Sequence, residues 1–216
     1  GPMAVLALAT IGGVEVPGQK DAVRAGAEWL LAHTLDDAWG LNWPTAVPLV
    51  ETDAVGGRRL VPAAAADAPD GPSRAAWCYG TPGVASALRL AGEALNERRY
   101  VDIAADAMAA VQRRPAEARQ IDSPTFCHGV AGLLQATLRF ERATGEPNRP
   151  PFADALVAQI LAAFDAGHPL GFRDLEYADH PVDQPGLLDG APGVALALLA
   201  YATDVAPDWD RAFLYA

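Results

Sequence analysis

Trp77-Cys78-Tyr79-Gly80-Thr81-Pro82-Gly83 and Phe126-Cys127-His128-Gly129-Val130-Ala131-Gly132 are two versions of one pattern. Each ends in a Gly-x-x-Gly turn, and each turn opens an apolar run with helical spacing. Leu188-Asp189-Gly190-Ala191-Pro192-Gly193 is a third version. Gly83, Gly132 and Gly193 share one register, and Cys78, Cys127 and Leu188 share another, with starts 49 and 61 residues apart. Each unit therefore reads as a helix hairpin plus a connection of variable length. Such repeats stack into a solenoid or close into a ring. The first helix of each unit is the more apolar and is expected inside. The second carries more charge and is expected outside. The Gly-x-x-Gly turns then gather at one end of the inner layer, where glycine permits close backbone approach or positive φ.

The two stretches hold the only cysteines in the chain. Free N–H groups and the positive dipole ends of the helices bias nearby thiols toward thiolate. Two sulfurs and an imidazole, from Cys78, Cys127 and His128, form a donor set that suits zinc. Three protein ligands leave the fourth position open, as in catalytic rather than structural zinc sites. Two alternatives stay open. The cysteines are ordinary packing residues, or they form one Cys78–Cys127 disulfide of an oxidoreductase that holds no zinc.

Composition narrows the class. The 216 residues are 51% hydrophobic, enough for one sizeable core, and few are aromatic. Sixteen Lys and Arg against 27 Asp and Glu give a net charge of −11. An acidic chain with no basic cluster argues against nucleic acid or an anionic membrane as partner. No apolar run reaches the roughly 20 residues that span a bilayer. The opening Gly1-Pro2-Met3-Ala4-Val5-Leu6 lacks the basic region of a signal peptide. Two cysteines are too few for a disulfide scaffold, so a reducing cytoplasm is the expected compartment.

Helical patterns cover 4–9, 21–33, 80–95, 98–113, 129–143, 152–166 and 190–203, with a short turn over 209–215. The Gly145-Glu146-Pro147 run is expected to end the fifth of these. Residues 35–73 read as a long irregular insertion, punctuated by Trp39-Gly40, Trp43-Pro44, Gly56-Gly57 and Pro69, with short strands near 47–51 and 59–61. Its tryptophans argue against disorder. Residues 167–185 read as a polar loop. His168 and His180 lie there with Asp174, Glu176, Asp179 and Asp183, where a solvated loop outweighs a second metal site. His33 closes a helix and is expected to cap it or face solvent. Asp189 is expected to act as a helix N-cap.

The motifs WCYGTPG, CHGVAGLL and GLLDGAPGVALALL resemble those of LanC-type lanthionine cyclases over most of the chain. The resemblance implies an all-α fold, an α/α toroid of inner and outer helices with zinc at one end. It implies addition of cysteine thiols to dehydroalanine or dehydrobutyrine in a dehydrated precursor peptide, with a dehydratase as candidate companion. Cys78, Cys127 and His128 match the zinc ligands, and Tyr79 and Arg74 match active-site residues. Arg74 would stabilise the developing enolate, with a structural ion pair as the other reading. The family's Ala-His-Gly motif would fall just before Gly1. Residues 1–216 are thus expected to be the C-terminal part of a single toroid domain, an incomplete ring with apolar helix faces at its ends. Without the upstream histidine, a non-catalytic zinc-bearing module that binds peptides or thiols is the alternative.

Overall fold

The computed structural model describes residues 1–54, 57–63, 71–144, 151–176 and 180–215. The turns expected at Gly56 and Gly145-Glu146-Pro147, together with Pro69 and Asp179, lie outside the described residues. Seven α-helices carry the architecture among those described. They are α1 (Pro2–Ile11), α2 (Gln19–Ala32), α3 (Thr81–Leu95), α4 (Arg98–Arg113), α5 (Val130–Thr144), α6 (Pro151–Ala162) and α7 (Ala191–Ala202). A short 3-10 turn, Trp209–Phe213, closes the chain.

The apolar first helices form a continuous inner row: α1 packs on α3, α3 on α5 and α5 on α7. The second helices lie outside, α2 against α1 and α3, α4 against α3, and α6 against α5. Helix α4 shows why. Tyr100, Ala104, Ala107, Met108 and Val111 recur at helical spacing and are buried, while Asp102 and Asp106 face solvent. Helices α3 and α5 have neighbours on every side, and Leu88, Leu90, Leu133 and Leu134 are wholly buried. The flanking helices α1 and α7 differ. Val5 and Ile11 on α1 and Leu199 on α7 are each about half exposed. The arrangement is the expected α/α toroid architecture, with apolar surface on its two end helices.

The described residues of the 35–73 segment are more regular than their composition suggests. They form two antiparallel hairpins, β1 (Leu35–Asp37) with β2 (Gly40–Asn42), and β3 (Leu49–Ala54) with β4 (Gly57–Pro62). A buried polar knot holds the first hairpin in place. Asn42 Nδ2 donates to Asp37 Oδ2 at 2.9 Å, and Asn42 Oδ1 accepts from Ser73 Oγ at 2.9 Å and from the Thr81 hydroxyl. Asp37 also pairs with the buried Arg114 at 2.9 Å. The Trp43 indole donates to the Leu30 carbonyl at 2.8 Å, which fastens the segment to α2. These bonds fix the start of α3.

Helix α6 ends at Ala162, four residues before its expected end. Phe164 leaves the helix to pack on Phe172, with ring centroids 5.3 Å apart. Gly171, at φ +74°, receives that ring where a Cβ would stand 2.5 Å from it.

A candidate metal centre

The repeat register becomes a row of hydrogen bonds at one end of the inner layer. The Cys78 N–H donates to the Cys127 carbonyl at 3.1 Å, and the Cys127 N–H donates to the Leu188 carbonyl at 2.9 Å. Equivalent residues of successive repeats are thus stitched side by side, which places both thiols in adjoining turns. The glycines make each turn possible through close approach, not through positive φ. A Cβ on Gly83, Gly132 or Gly193 would lie 2.1, 2.0 or 2.0 Å from the carbonyl oxygen of Trp77, Phe126 or Leu187. Those three residues share one register position.

The ligating atoms of Cys78, Cys127 and His128 lie within 4.8 Å of one another. Cys127 Sγ is 3.7 Å from His128 Nε2. Tetrahedral zinc with thiolate and imidazole ligands sets neighbouring donors about 3.6–3.8 Å apart. The donor chemistry suits zinc, the Cys127–His128 separation matches that spacing, and neither thiol is in a disulfide. No other cluster among the described residues brings three such donors together.

The site's electrostatics run against one expectation from sequence. Burial pushes the Cys127 thiol up to about 12, with the Cys78 thiol beside it and Asp189 and Glu176 adding to the effect. Desolvation outweighs the helix-end bias at this position. A bound cation supplies the opposite charge that a buried thiolate needs.

Tyr79 is the residue of this register with a left-handed backbone, φ 54°. A non-glycine residue there is strained, and such strain clusters at functional sites. The side chain is 71% exposed, with its ring nearly parallel to that of His128 at 6.3 Å.

Arg74 Nη1 donates to both Glu176 oxygens, at 3.0 and 3.1 Å. Its carbonyl accepts from the Thr81 N–H at 3.2 Å, tying Arg74 to the start of α3. The partner was not legible in the sequence, where 167–185 reads as a solvated loop. Asp174 is in fact 1% exposed. Its Oδ1 accepts from Ser123 Oγ and from the Glu176 N–H, both at 3.0 Å. Ser123 holds the register position of Arg74 one repeat later. The loop is thereby pinned beside the turns that carry Cys78 and Cys127, and Glu176 is brought to Arg74.

Asp189 does not cap α7, whose N-cap is Gly190 with no side-chain bond. Burial and the nearby Asp174 raise its carboxyl pKa, while His128 opposes the shift. His33 Nδ1 lies 2.7 Å from the Trp29 carbonyl, and its ring stacks on that indole at the end of α2. His168 Nε2 pairs with Asp165 at 3.3 Å, and His180 is exposed.

Comparison with known proteins agrees with the fold. Residues 1–214 match the family described as lanthionine synthetase C-like protein. The nisin biosynthesis protein NisC of Lactococcus lactis subsp. lactis is 36% identical over 69 residues, which are 32% of this chain and 16% of that protein. A solved structure titled nisin cyclase superposes on 99% of this chain with a TM-score of 0.70 at 21% identity. The chain spans 47% of that structure, about half its length. No described helix is long and apolar enough to cross a membrane. On the match over nearly its whole length, the chain belongs to the lanthionine synthetase C-like family.

Proposed function

We propose that the protein acts, as the C-terminal part of one toroid domain, in a zinc-dependent peptide cyclase. It would join cysteine thiols to dehydroalanine or dehydrobutyrine and so form lanthionine or methyllanthionine. The carrying observation is the Cys78, Cys127 and His128 cluster, with its donors within 4.8 Å, in a chain of this family. These residues would hold the zinc. When bound, zinc lowers the pKa of a substrate thiol enough to make a nucleophile near neutral pH.

The reaction is isomeric. A sulfur–carbon bond forms at the β-carbon, the alkene π pair moves toward the carbonyl oxygen, and a proton reaches the α-carbon. The Arg74 guanidinium would stabilise the charge that develops on that oxygen. Tyr79, exposed beside His128, is this chain's candidate proton donor. The substrate is a dehydrated precursor peptide, which a dehydratase must first supply.

The Arg74–Glu176 pair favours a second reading, because it leaves the guanidinium already engaged. In that reading the chain is a zinc-bearing module that binds peptides or thiols without turnover. One assay separates the two. A peptide carrying one dehydroalanine and one cysteine is incubated with the zinc-loaded chain, and its free thiol is counted by alkylation and mass spectrometry. Loss of the thiol at constant mass is expected. Peptide binding with the thiol fully retained would establish the second reading instead.

A further inference from the structure

One loop touches both turns of the candidate metal cluster. It joins α6 to α7, and a connection of that length in a compact domain is usually functional. Within it the Asp174 N–H donates to the Val182 carbonyl at 2.8 Å, and the Val182 N–H donates back to the Asp174 carbonyl at 2.9 Å. From this clasp the Asp174 side chain reaches the turn of Cys127. Its Oδ1 accepts from Ser123 Oγ, and Ser123 Oγ accepts from the Leu175 N–H at 3.2 Å. The Ser123 carbonyl accepts from the Val130 N–H at 2.9 Å, so Ser123 belongs to the turn that carries Cys127 and His128. Glu176, two residues on, reaches the turn of Cys78 through Arg74, which pairs with Gly80 in a single β-bridge. Asp174 Oδ1 also accepts from the Glu176 N–H, so one oxygen fixes Ser123 and Glu176 together.

Stability alone does not account for Asp174. Its Oδ2 is buried with no hydrogen-bond partner among the described residues. A buried carboxylate oxygen left unpaired costs free energy, and local costs of this kind collect at functional sites. The gain is direction. Both bonds to Glu176 come from Arg74 Nη1, and Nη2 has no hydrogen-bond partner among the described residues. The pair thus steadies the guanidinium without filling it.

We propose that Asp174 and Glu176 are positioning residues for Arg74. Asp174 anchors the loop to the turn of Cys127, and Glu176 holds the guanidinium by Nη1, leaving Nη2 to meet a substrate oxygen. The cross-tie keeps Arg74 and the ligand cluster in one mutual geometry. The substrate oxygen rests on the cyclase reading, whereas the cross-tie can be tested without turnover.

Phenylglyoxal adds across both Nη atoms of an accessible guanidinium, and peptide mapping by mass spectrometry reads the adduct at Arg74 in the zinc-loaded chain. Asp174→Ala, Ser123→Ala and Glu176→Gln are each expected to speed that labelling at least about threefold, because each frees Nη1. Zinc content should stay at the native level. Asp174→Ala combined with Glu176→Gln should label no faster than Glu176→Gln alone, since both release the same group. Asp174→Asn keeps an acceptor for Ser123 and Glu176 and should restore native protection, a rescue that general loosening would not give. In the cyclisation assay the three single variants should lower kcat about tenfold and change KM less than about twofold. Native protection of Arg74 in both Asp174→Ala and Ser123→Ala would overturn the cross-tie and leave the cyclase reading standing. Equal acceleration at Arg139, which pairs with Asp210, would also overturn it, as general loosening. Faster labelling confined to Arg74, with no cyclisation by the native chain, would overturn the cyclase reading and support the cross-tie.

Discussion

The Cys78 N–H donates to the Cys127 carbonyl at 3.1 Å, joining equivalent positions of neighbouring repeats. The bond requires each turn to fold tightly on itself, and the glycines permit that. Gly132→Ala would place a methyl group 2.0 Å from the Phe126 carbonyl oxygen, which is backbone and cannot swing aside. A loss of about 3 kcal/mol or more in chemical denaturation is expected. Gly186→Ala is the control, since nothing lies within 4 Å of its added methyl. It should change stability by about 0.5 kcal/mol at most. Equal losses in the two variants would mean that close approach is not why glycine stands at Gly132.

Zinc should bind at one ion per chain and be lost in Cys78→Ala and in His128→Ala, as read by metal analysis. Affinity should also depend on pH, with a sign set by Cys127. Burial holds that thiol up at about 12 in the metal-free chain, so binding near neutral pH must displace its proton. Affinity is therefore expected to rise with pH, by about tenfold per unit for each proton released. The same shift acts on folding. A raised thiol pKa contributes stability below the unfolded value of about 8.5 and loses it as pH climbs through the folded value. The metal-free chain should weaken across that alkaline window, and Cys127→Ser should flatten the loss. A pH-independent zinc affinity would contradict the protonated thiol.

The repeat, the inner and outer layers and the clustering of Cys78, Cys127 and His128 were legible because each rests on local pattern. Gly-x-x-Gly marks a turn wherever it occurs, and α4 buries the face that its Tyr100, Ala104 and Met108 spacing defines. Long-range polar pairing was not legible. Asp174 and Glu176 look like solvent-facing acids, and only the fold reveals that one is buried against Ser123 and the other meets Arg74. Asp189 has the composition of an N-cap but not the geometry, because Gly190 already occupies that place. The first hairpin, 35–42, was hidden for the same reason, since Asn42 meets Ser73 and Thr81 only after folding.

Arg74 and Glu176 form a half-buried pair whose removal need not disturb the metal ligands. Arg74→Ala is expected to lower the cyclisation rate about 10²–10³-fold if its guanidinium meets the developing enolate. Its zinc content should stay at the native level. Glu176→Gln keeps the side chain's shape and removes its charge. It should change the rate far less than Arg74→Ala and should shift the peptide KM and kcat unequally, since it frees the guanidinium without deleting it. Native turnover in Arg74→Ala would reduce Arg74 to a structural ion-pair residue.

Asp210 joins the end of the chain to the inner layer. It is wholly buried and accepts from Gln135 Nε2, from Arg139 Nε at 2.7 Å and from Arg139 Nη2. This anchor sets Trp209, Phe213 and Tyr215 around Phe126, with ring centroids 5.5, 5.2 and 6.4 Å away. Phe126 immediately precedes Cys127 of the candidate metal cluster, so the aromatic cluster supports the turn that carries it. Asp210→Ala strands the Arg139 charge and should cost about 3–5 kcal/mol. The double variant Arg139→Met with Asp210→Leu removes both charges together and should recover much of that loss. Urea denaturation of the two single variants and the double variant gives the coupling directly. Additive losses would show that the pair does not act as a unit. Recovery in the double variant, with zinc still bound, would show that the C-terminal turn is held by pairing two charges that are costly to bury singly.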